Sequence, residues 1–193
     1  MPFEKKNRII AIDGRAASGK TMLAENLREA FDADVIHMDD FFLPPQLRTA
    51  QRLEEAGGNI HYERFAAEVL PFIYDDRPFN YRVFDCHSMD YSGMKSTEGK
   101  QFIIVEGAYS QHPKFDRYAD ITIFLDISHD EQLMRIRRRN GERLLETFRD
   151  KWIPMEEKYF NAYNIRSKAD IKADSAKIST EEIIDDIARR IRV

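Results

Sequence analysis

The amino-acid sequence predicts an α/β fold in which helices flank a parallel β-sheet. Short apolar runs alternate with longer segments of helical periodicity, and acidic residues follow several of the apolar runs. A chain of 193 residues suits one domain, and no repeat or Gly/Ser-rich linker divides it. We therefore expect residues 1–193 to form a single domain around one sheet.

The composition is that of a globular protein with little net charge. Hydrophobic residues make up 42% of the chain, and 30 Lys and Arg residues against 34 Asp and Glu residues give a net charge of −4. This balance gives no electrostatic signal for a nucleic-acid partner. The single cysteine, Cys86, cannot form a disulfide or a cysteine-rich zinc site within one chain. The apolar run at residues 9–12 is too short for a signal peptide or a membrane span, so we expect a cytoplasmic protein without membrane contact.

Four apolar runs predict the strands of the sheet, and a further segment is predicted to be extended. The runs are residues 8–13, 35–38, 102–105 and 121–125, and the extended segment is 81–86. Helical periodicity predicts helices at residues 20–31, 62–74, 128–139, 142–152, 155–163 and 179 to about 192. Ser128 and Ser179 each precede a glutamate by three residues, which is the spacing of a capping box. Pro154 is predicted to separate two of the helices.

The first loop carries a phosphate-binding motif. Residues 14–21 read Gly-Arg-Ala-Ala-Ser-Gly-Lys-Thr and match G-x-x-x-x-G-K-[ST] between a predicted strand and a predicted helix. The two glycines allow backbone angles at which successive N–H groups turn inward around a phosphate. Lys20 can reach the β- and γ-phosphates, and the Thr21 hydroxyl can bind Mg²⁺. We predict that ATP binds here with Mg²⁺, through Gly14, Ala16, Ala17, Ser18, Gly19, Lys20 and Thr21. The alternative is a plain turn that contains glycine.

Carboxylates follow the predicted strands, at the edge of an open parallel sheet where ligands bind. Glu106 follows the strand at 102–105 and is predicted to bind Mg²⁺ directly or through water, although a solvated strand-end charge is the alternative. Asp39 follows the second strand and is predicted to orient an acceptor hydroxyl and take its proton, and it can also share the metal ion. The alternative is a turn-forming aspartate, and Asp40 is the weaker candidate of the pair.

Five arginines fall within nine residues after the fourth predicted strand: Arg135, Arg137, Arg138, Arg139 and Arg143. With about 3.6 residues per turn, the first, third and fourth of them share one helix face. Charge spreads over the oxygens of a phosphoryl group during transfer, and arginines on a mobile cover can stabilise it. We predict a lid at about residues 135–150 that carries these arginines. A solvated basic helix is the alternative.

The order of these motifs resembles the uridine kinase and phosphoribulokinase family. The resemblance rests on residues 14–21, on Val-Ile-His-Met-Asp-Asp-Phe-Phe at 35–42 and on Ile-Ile-Val-Glu-Gly at 103–107. The Asp-Asp-Phe-Phe stretch followed by Pro44 is also similar to nicotinamide riboside kinases. The resemblance implies a P-loop fold like that of nucleoside monophosphate kinases, and phosphoryl transfer from Mg·ATP to a nucleoside-like hydroxyl. It also implies the roles given above to Asp39 and Glu106. The resemblance places the family's lid arginines on Arg135, Arg138 and Arg143, and we predict that Arg138 is catalytic and that the other two bind the nucleotide.

The chain departs from the family pattern in several places. Phe84-Asp85-Cys86-His87 stands where family members have a Tyr-Asp-Phe stretch and a histidine around the base. Asn59 stands near the position of an acidic contact to the sugar, and Arg139 and Leu144 replace an aspartate and a glycine of the lid.

The predicted acceptor is a neutral metabolite of nucleoside size, with uridine as the first choice. It is expected to bind against an excursion at about residues 40–100, with contacts from Asp39, Phe42, Tyr81, Arg82, Phe84 and His87. Kinases for nicotinamide riboside, pantothenate or a sugar phosphate remain alternatives. A regulatory protein that binds or hydrolyses nucleotide is an alternative of another class, and a homo-oligomer is one option for the assembly.

Overall fold

A five-stranded parallel sheet lies at the centre of the computed structural model, which describes residues 8–191. The described strands, in chain order, are β1 (Arg8–Gly14), β2 (Ala33–His37), β3 (Asn80–Asp85), β4 (Asp90–Ser96), β5 (Phe102–Glu106), β6 (Ile121–Asp126) and β7 (Ile171–Asp174). The sheet has the order β2-β5-β1-β6-β7, and each neighbouring pair is parallel. β3 and β4 form a separate antiparallel hairpin. The predicted fold class is therefore confirmed.

Helices connect the strands and cover both faces of the sheet. The described α-helices are α1 (Lys20–Phe31), α2 (Ala50–Glu54), α3 (Tyr62–Glu68), α4 (His129–Asn140), α5 (Glu142–Thr147), α6 (Ile153–Tyr163), α7 (Ile165–Lys168) and α8 (Thr180–Ile191). Short 3-10 turns lie at Met38–Phe41, Pro45–Leu47 and Pro113–Phe115, and a π-helical stretch lies at Phe148–Trp152. The predicted end of the last helix near residue 192 lies outside the described residues, as do residues 1–7. Within residues 8–191, no helix is long and apolar enough to cross a membrane.

The burial of both sheet faces explains the unbroken apolar run of β1. Ile10 and Ile12 lie in an apolar cluster with residues of α1 and α8 on one face. Ile9 and Ala11 point to the other face, in a cluster with residues of α3 and α6. All four side chains have 0–1% exposure, as expected for the central strand of a parallel sheet.

The carboxyl ends of β2, β5 and β1 lie side by side, and this arrangement positions the candidate site. The register pairs His37 with Glu106 across β2 and β5, and Ile12 with Glu106 across β1 and β5. The loop after β1, the turn after β2 and the last residue of β5 therefore share one edge of the sheet. Ligands of open α/β sheets bind at this edge.

Two strands lack the pattern by which the others were predicted. In β4, Tyr91 is half-buried and the other six residues are exposed, so this strand carries no apolar run. β7 has only four residues, of which two are buried. Hydrogen bonds to β3 and to β6 fix these strands, and a search for apolar periodicity does not detect such pairing.

Two predicted helix boundaries are corrected, and a proline is involved in each. α3 ends at Glu68 rather than near residue 74, because Pro71 follows and disfavours helical geometry in the residue before it. Pro154 does not separate two helices, because it lies in the first turn of α6 directly after the π-helical stretch. The altered hydrogen-bond register of a π-helix accommodates a residue that lacks an N–H group.

Candidate active site

The phosphate-binding motif folds into a loop with unusual backbone angles. Gly14 has φ 143°, Ala17 has φ 59° and Gly19 has φ 96°, so the chain turns repeatedly through conformations that side chains disfavour. A Cβ atom at Gly14 would lie 2.1 Å from the carbonyl oxygen of Leu125, so only glycine fits beside β6. α1 begins directly after the loop, at Lys20. Its N-terminal dipole adds to the inward N–H groups and favours an anion in the loop.

Lys20 folds back over the loop. Its Nζ atom donates to the carbonyl oxygens of Gly14 at 2.9 Å and Arg15 at 2.8 Å. The ammonium group is therefore held beside the loop, in reach of a phosphate that enters it.

Thr21, Glu106 and His37 form a polar group at the edge of the sheet. The Thr21 hydroxyl lies 3.3 and 3.4 Å from the two carboxylate oxygens of Glu106, and His37 Nδ1 lies 2.6 Å from Glu106 Oε1. The hydrogen bond to Glu106 raises the pKa of His37, because it favours the protonated ring. His37 was not predicted as a site residue. Its contact follows from the register between β2 and β5, and the sequence alone does not give that register.

The neighbouring hydroxyl of Thr21 and carboxylate of Glu106 suit Mg²⁺. This ion prefers oxygen ligands, and in kinases it takes its remaining ligands from phosphates and water. Among residues 8–191, no group of three or more His, Cys, Asp and Glu side chains is arranged to hold a metal ion by itself. A site with few protein ligands is typical of Mg²⁺ bound together with a nucleotide.

We expect Glu106→Gln to raise the Mg²⁺ concentration for half-maximal activity by about tenfold or more, because the amide loses the charge that attracts the ion. The measurement is a Mg²⁺ titration of turnover at saturating nucleotide. Glu98→Gln is the matched control, because Glu98 is exposed and pairs with Lys100. An unchanged Mg²⁺ requirement in Glu106→Gln would contradict a metal role for Glu106.

Asp39 and Asp40 follow β2 in one turn, but their surroundings differ. Met38 and Phe41 are completely buried on either side of the pair. Asp40 is also buried, and its carboxylate accepts from Lys95 Nζ at 2.8 and 3.0 Å. Asp39 is exposed to solvent. Asp40 thus fixes the turn to the β3–β4 hairpin and leaves Asp39 available at the edge of the sheet.

Asp39 is open to solvent, but surrounding protein still changes its protonation. The protein packed around this exposed carboxylate displaces part of the nearby water, which raises the pKa of Asp39, and the negative charge of Glu106 raises it further. The charges of Lys20 and His37 act in the opposite direction. These effects place Asp39 within electrostatic reach of the metal candidates and the phosphate loop. A carboxylate with a raised pKa takes up a proton more readily than an ordinary aspartate does.

Two aromatic residues predicted to contact the acceptor belong to the core. Tyr81 and Phe84 have 2% and 3% exposure. The Tyr81 ring stacks on Phe41 with 5.4 Å between centroids, and its hydroxyl lies 3.4 Å from Asp40 Oδ2. Phe84 packs edge-on against Tyr91 within the hairpin. The position of both rings in β3 turns them away from solvent, and their contact with the acceptor stays a prediction.

The other acceptor candidates differ in how accessible they are. Phe42 is half-buried and pairs with Ile60 in an isolated β-bridge. Arg82 is exposed, and its Nε atom donates to Glu68 Oε1 at 2.6 Å. His87 is exposed at the tip of the hairpin, where its backbone N–H donates to Asp85 Oδ1 at 2.9 Å.

The predicted lid arginines occupy α4 and α5 beside the phosphate loop. Arg135 Nη1 donates to the carbonyl of Ala17 at 3.4 Å, and its Nε donates to Glu131 at 2.9 Å. Arg138 and Arg143 are exposed on α4 and α5. The structure therefore brings Arg135 to the loop and leaves the other two side chains at the surface of the same segment.

A buried carboxylate beneath the loop was not predicted. Asp13 has 0% exposure, and it accepts from the Tyr159 hydroxyl at 2.8 Å and from the Gly14 N–H at 2.8 Å. Burial raises the pKa of Asp13 to about 6, although these hydrogen bonds lower it. Asp13 directly precedes the motif, but no sequence signal connects it to Tyr159, which lies 146 residues away.

Acidic residues of β6 and α6 also hold the loop. Arg15 Nε donates to Asp126 Oδ1 at 2.8 Å, and its Nη1 atom contacts Glu157. The Ala16 N–H donates to Glu156 Oε2 at 2.9 Å. Both glutamates lie in α6, so this helix is part of the support of the phosphate loop.

Comparison with known proteins identifies the fold. No family model and no curated protein sequence matches the chain. A possible uridine kinase from Bacillus stearothermophilus is similar in structure, with a TM-score of 0.65 and 18% identity over 90% of this chain and 92% of that one. A candidate fructose transport system kinase from Silicibacter sp. TM1040 gives a TM-score of 0.66 with the same identity and coverage. Shikimate kinase from Bacteroides thetaiotaomicron gives 0.52 and 13% identity over 96% and 99% of the two chains.

These identities are too low to transfer an activity or a substrate, but the likeness covers nearly the whole of each chain. It agrees with the parallel sheet flanked by helices and with the phosphate-binding motif after the central strand. The chain has the fold of P-loop kinases.

Proposed function

We propose that the protein is an ATP-dependent kinase that transfers the γ-phosphoryl group to a hydroxyl of a small metabolite, with a nucleoside such as uridine as the acceptor. One observation carries the proposal: Asp39 lies at the edge of the sheet that also holds Lys20, Thr21 and Glu106. A protein that only binds nucleotide needs the phosphate loop and the metal ligands, but it has no need of a second carboxylate with a raised pKa.

In the proposed reaction, each residue acts on a defined atom. The N–H groups of the loop and Lys20 bind the β- and γ-phosphates, and Asp39 orients the acceptor hydroxyl and accepts its proton. The acceptor oxygen forms a bond to the γ-phosphorus as the bond to the bridging oxygen of ADP breaks. Thr21 and Glu106 would hold Mg²⁺, which would supply positive charge against the phosphates.

The acceptor side supports a neutral substrate rather than a sugar phosphate. Arg82 is the cation that could best bind a second phosphate, and it is already paired with Glu68. Asn59, near the expected sugar contact, is buried, and its Oδ1 atom has no hydrogen-bond partner among residues 8–191. Its uncharged amide adds no cation that could bind a second phosphate.

A panel of acceptors tests this choice. ADP release is measured under saturating Mg·ATP with uridine, nicotinamide riboside, pantothenate, fructose, shikimate and ribulose 5-phosphate. We expect uridine or another nucleoside to give the strongest stimulation. Selective stimulation by a phosphorylated sugar would overturn the nucleoside assignment and leave the kinase proposal in place.

We expect Arg138→Ala to lower kcat more than it weakens ATP binding, because a lid arginine contacts charge that develops during transfer. The expected loss is about tenfold, below the ~10³–10⁵-fold of a lone arginine finger, because Arg135 and Arg143 share the role. Steady-state kinetics and an ATP binding isotherm measure the two effects. Arg189→Ala in α8 is the matched control. An unchanged kcat would show that Arg138 belongs to a solvated helix face.

A further inference from the structure

The N–H group of Ala16, within the phosphate loop, has an acidic partner from α6. Glu156 Oε2 accepts this N–H at 2.9 Å, and the Glu156 side chain is buried, with 8% exposure for the residue. The Ala16 carbonyl accepts from Gln132 Nε2 of α4 at 3.2 Å. This carbonyl therefore points to α4, and the N–H, one of the backbone groups with which such a loop can bind phosphate, is paired with the Glu156 carboxylate.

The Glu156 carboxylate lies within electrostatic reach of charged groups at the candidate site. Its charge is attracted by Lys20 at the start of α1 and repelled by Asp13 in β1 and Asp39 after β2. Tyr109, after β5, is the neutral titratable group that faces it. Burial is the main cause that raises the pKa of Glu156, to about 7, so at neutral pH the carboxylate is partly charged.

Ala16 has little freedom to move away from Glu156. Its side chain packs in an apolar cluster with Ile136 of α4, Leu145 of α5 and Ile153 of α6. The loop backbone at Ala16 is thus held by the packing of its side chain and by the hydrogen bond that Gln132 donates to its carbonyl. When a second anion enters the loop, the side chain of Glu156 must respond, either by moving or by taking up a proton.

We infer that the Glu156 carboxylate is an internal anion that competes with the terminal phosphate of a bound nucleotide for the phosphate loop. The inference rests on the proposed nucleotide binding and adds a residue that sets its affinity. The Glu156 carboxylate and the terminal phosphate are both attracted to the Ala16 N–H and the Lys20 ammonium, and the two negative charges repel each other at short range. Glu156 is also within electrostatic reach of Asp39, the residue proposed to orient the acceptor hydroxyl, so we expect its effect to fall mainly on the γ-phosphate.

Removal of the charge at Glu156 tests the inference. In Glu156→Gln, the amide oxygen can still accept the Ala16 N–H, so the loop keeps its hydrogen bond. At about pH 8, where Glu156 is charged, we expect the variant to bind ATP about tenfold more tightly than the unmodified protein. The gain for ADP should be smaller. Glu29→Gln is the matched control, because Glu29 is exposed and lies ~13 Å along α1 from its first residue.

The outcomes separate this inference from the proposed function. Equal or weaker ATP binding by Glu156→Gln would show that Glu156 only supports the loop, and would overturn the inference alone. Absence of ATP binding by every variant and by the unmodified protein would overturn the proposed function as well. If Glu156→Gln does not fold, calorimetry of ATP binding to the unmodified protein, in two buffers near neutral pH, measures how many protons the complex takes up and tests the inference in its place. Net proton uptake supports the competition, and no uptake contradicts it.

Discussion

A Lys20→Ala variant should show no measurable phosphoryl transfer while it keeps its fold. The Lys20 ammonium is held beside the phosphate loop by the carbonyls of Gly14 and Arg15, where it can stabilise charge on the β- and γ-phosphates. The loss should exceed the ~10²–10³-fold of a single removed transition-state donor, because the lysine also binds the ground-state nucleotide. The measurement is kcat/KM for ATP, with circular dichroism as the check on folding.

Lys172→Ala is the matched control for the removal of a lysine. Lys172 is an exposed residue of β7, so its removal should leave turnover and stability unchanged. Near-normal turnover in a folded Lys20→Ala protein would contradict the role of the phosphate loop in the reaction.

Asp39→Asn should lower kcat by about 10²-fold or more, which is the scale of a lost general base. ATP affinity should change little, because the proposed task of Asp39 is to take the proton of the acceptor hydroxyl. The acid limb of the pH–rate profile should also disappear in this variant. In the unmodified protein, that limb should lie above the usual range of an aspartate, because the pKa of Asp39 is raised and the base acts only when deprotonated. A collapse of ATP binding instead would mean that Asp39 is mainly a metal ligand.

Asp40→Asn tests whether the loss of kcat in Asp39→Asn is specific to the Asp39 carboxylate. The Asp40 carboxylate is buried and accepts two hydrogen bonds from Lys95. Its replacement should lower the free energy of unfolding by about 1 kcal/mol and reduce kcat far less than Asp39→Asn does. Equal losses of kcat in the two variants would show that the whole turn, and not the Asp39 carboxylate, is required.

The sequence was sufficient to predict the parts of the molecule that depend on local pattern. The phosphate loop combines fixed spacing with a strand before it and a helix after it, and both are present. Glu106 and Asp39 could be placed at one edge because parallel strands end at the same edge of a sheet. Their direct neighbours could not be predicted. The contact of His37 with Glu106 depends on the order of the strands, and several orders suit the same apolar runs.

Contacts between distant segments account for most of what the sequence did not predict. Glu156 and Tyr159 lie 140 and 146 residues from their partners, Ala16 and Asp13, and no periodicity or spacing connects such pairs. The location of the aromatic residues of β3 was difficult to predict for a different reason. A tyrosine in a short extended segment suits both a ligand pocket and a core, and the packing of Tyr81 on Phe41 shows that this ring is part of the core.

The most direct test of the account is to follow the γ-phosphoryl group of ATP. The purified protein is incubated with γ-labelled Mg·ATP and the acceptor that stimulates ADP release most strongly, and the products are separated. We expect the label to appear on a hydroxyl of the acceptor at the same rate at which ADP is released. Lys20→Ala and Asp39→Asn should abolish or strongly reduce this transfer. Release of the label only as inorganic phosphate, at a rate that no acceptor changes, would contradict the kinase proposal and indicate a nucleotide-hydrolysing regulator.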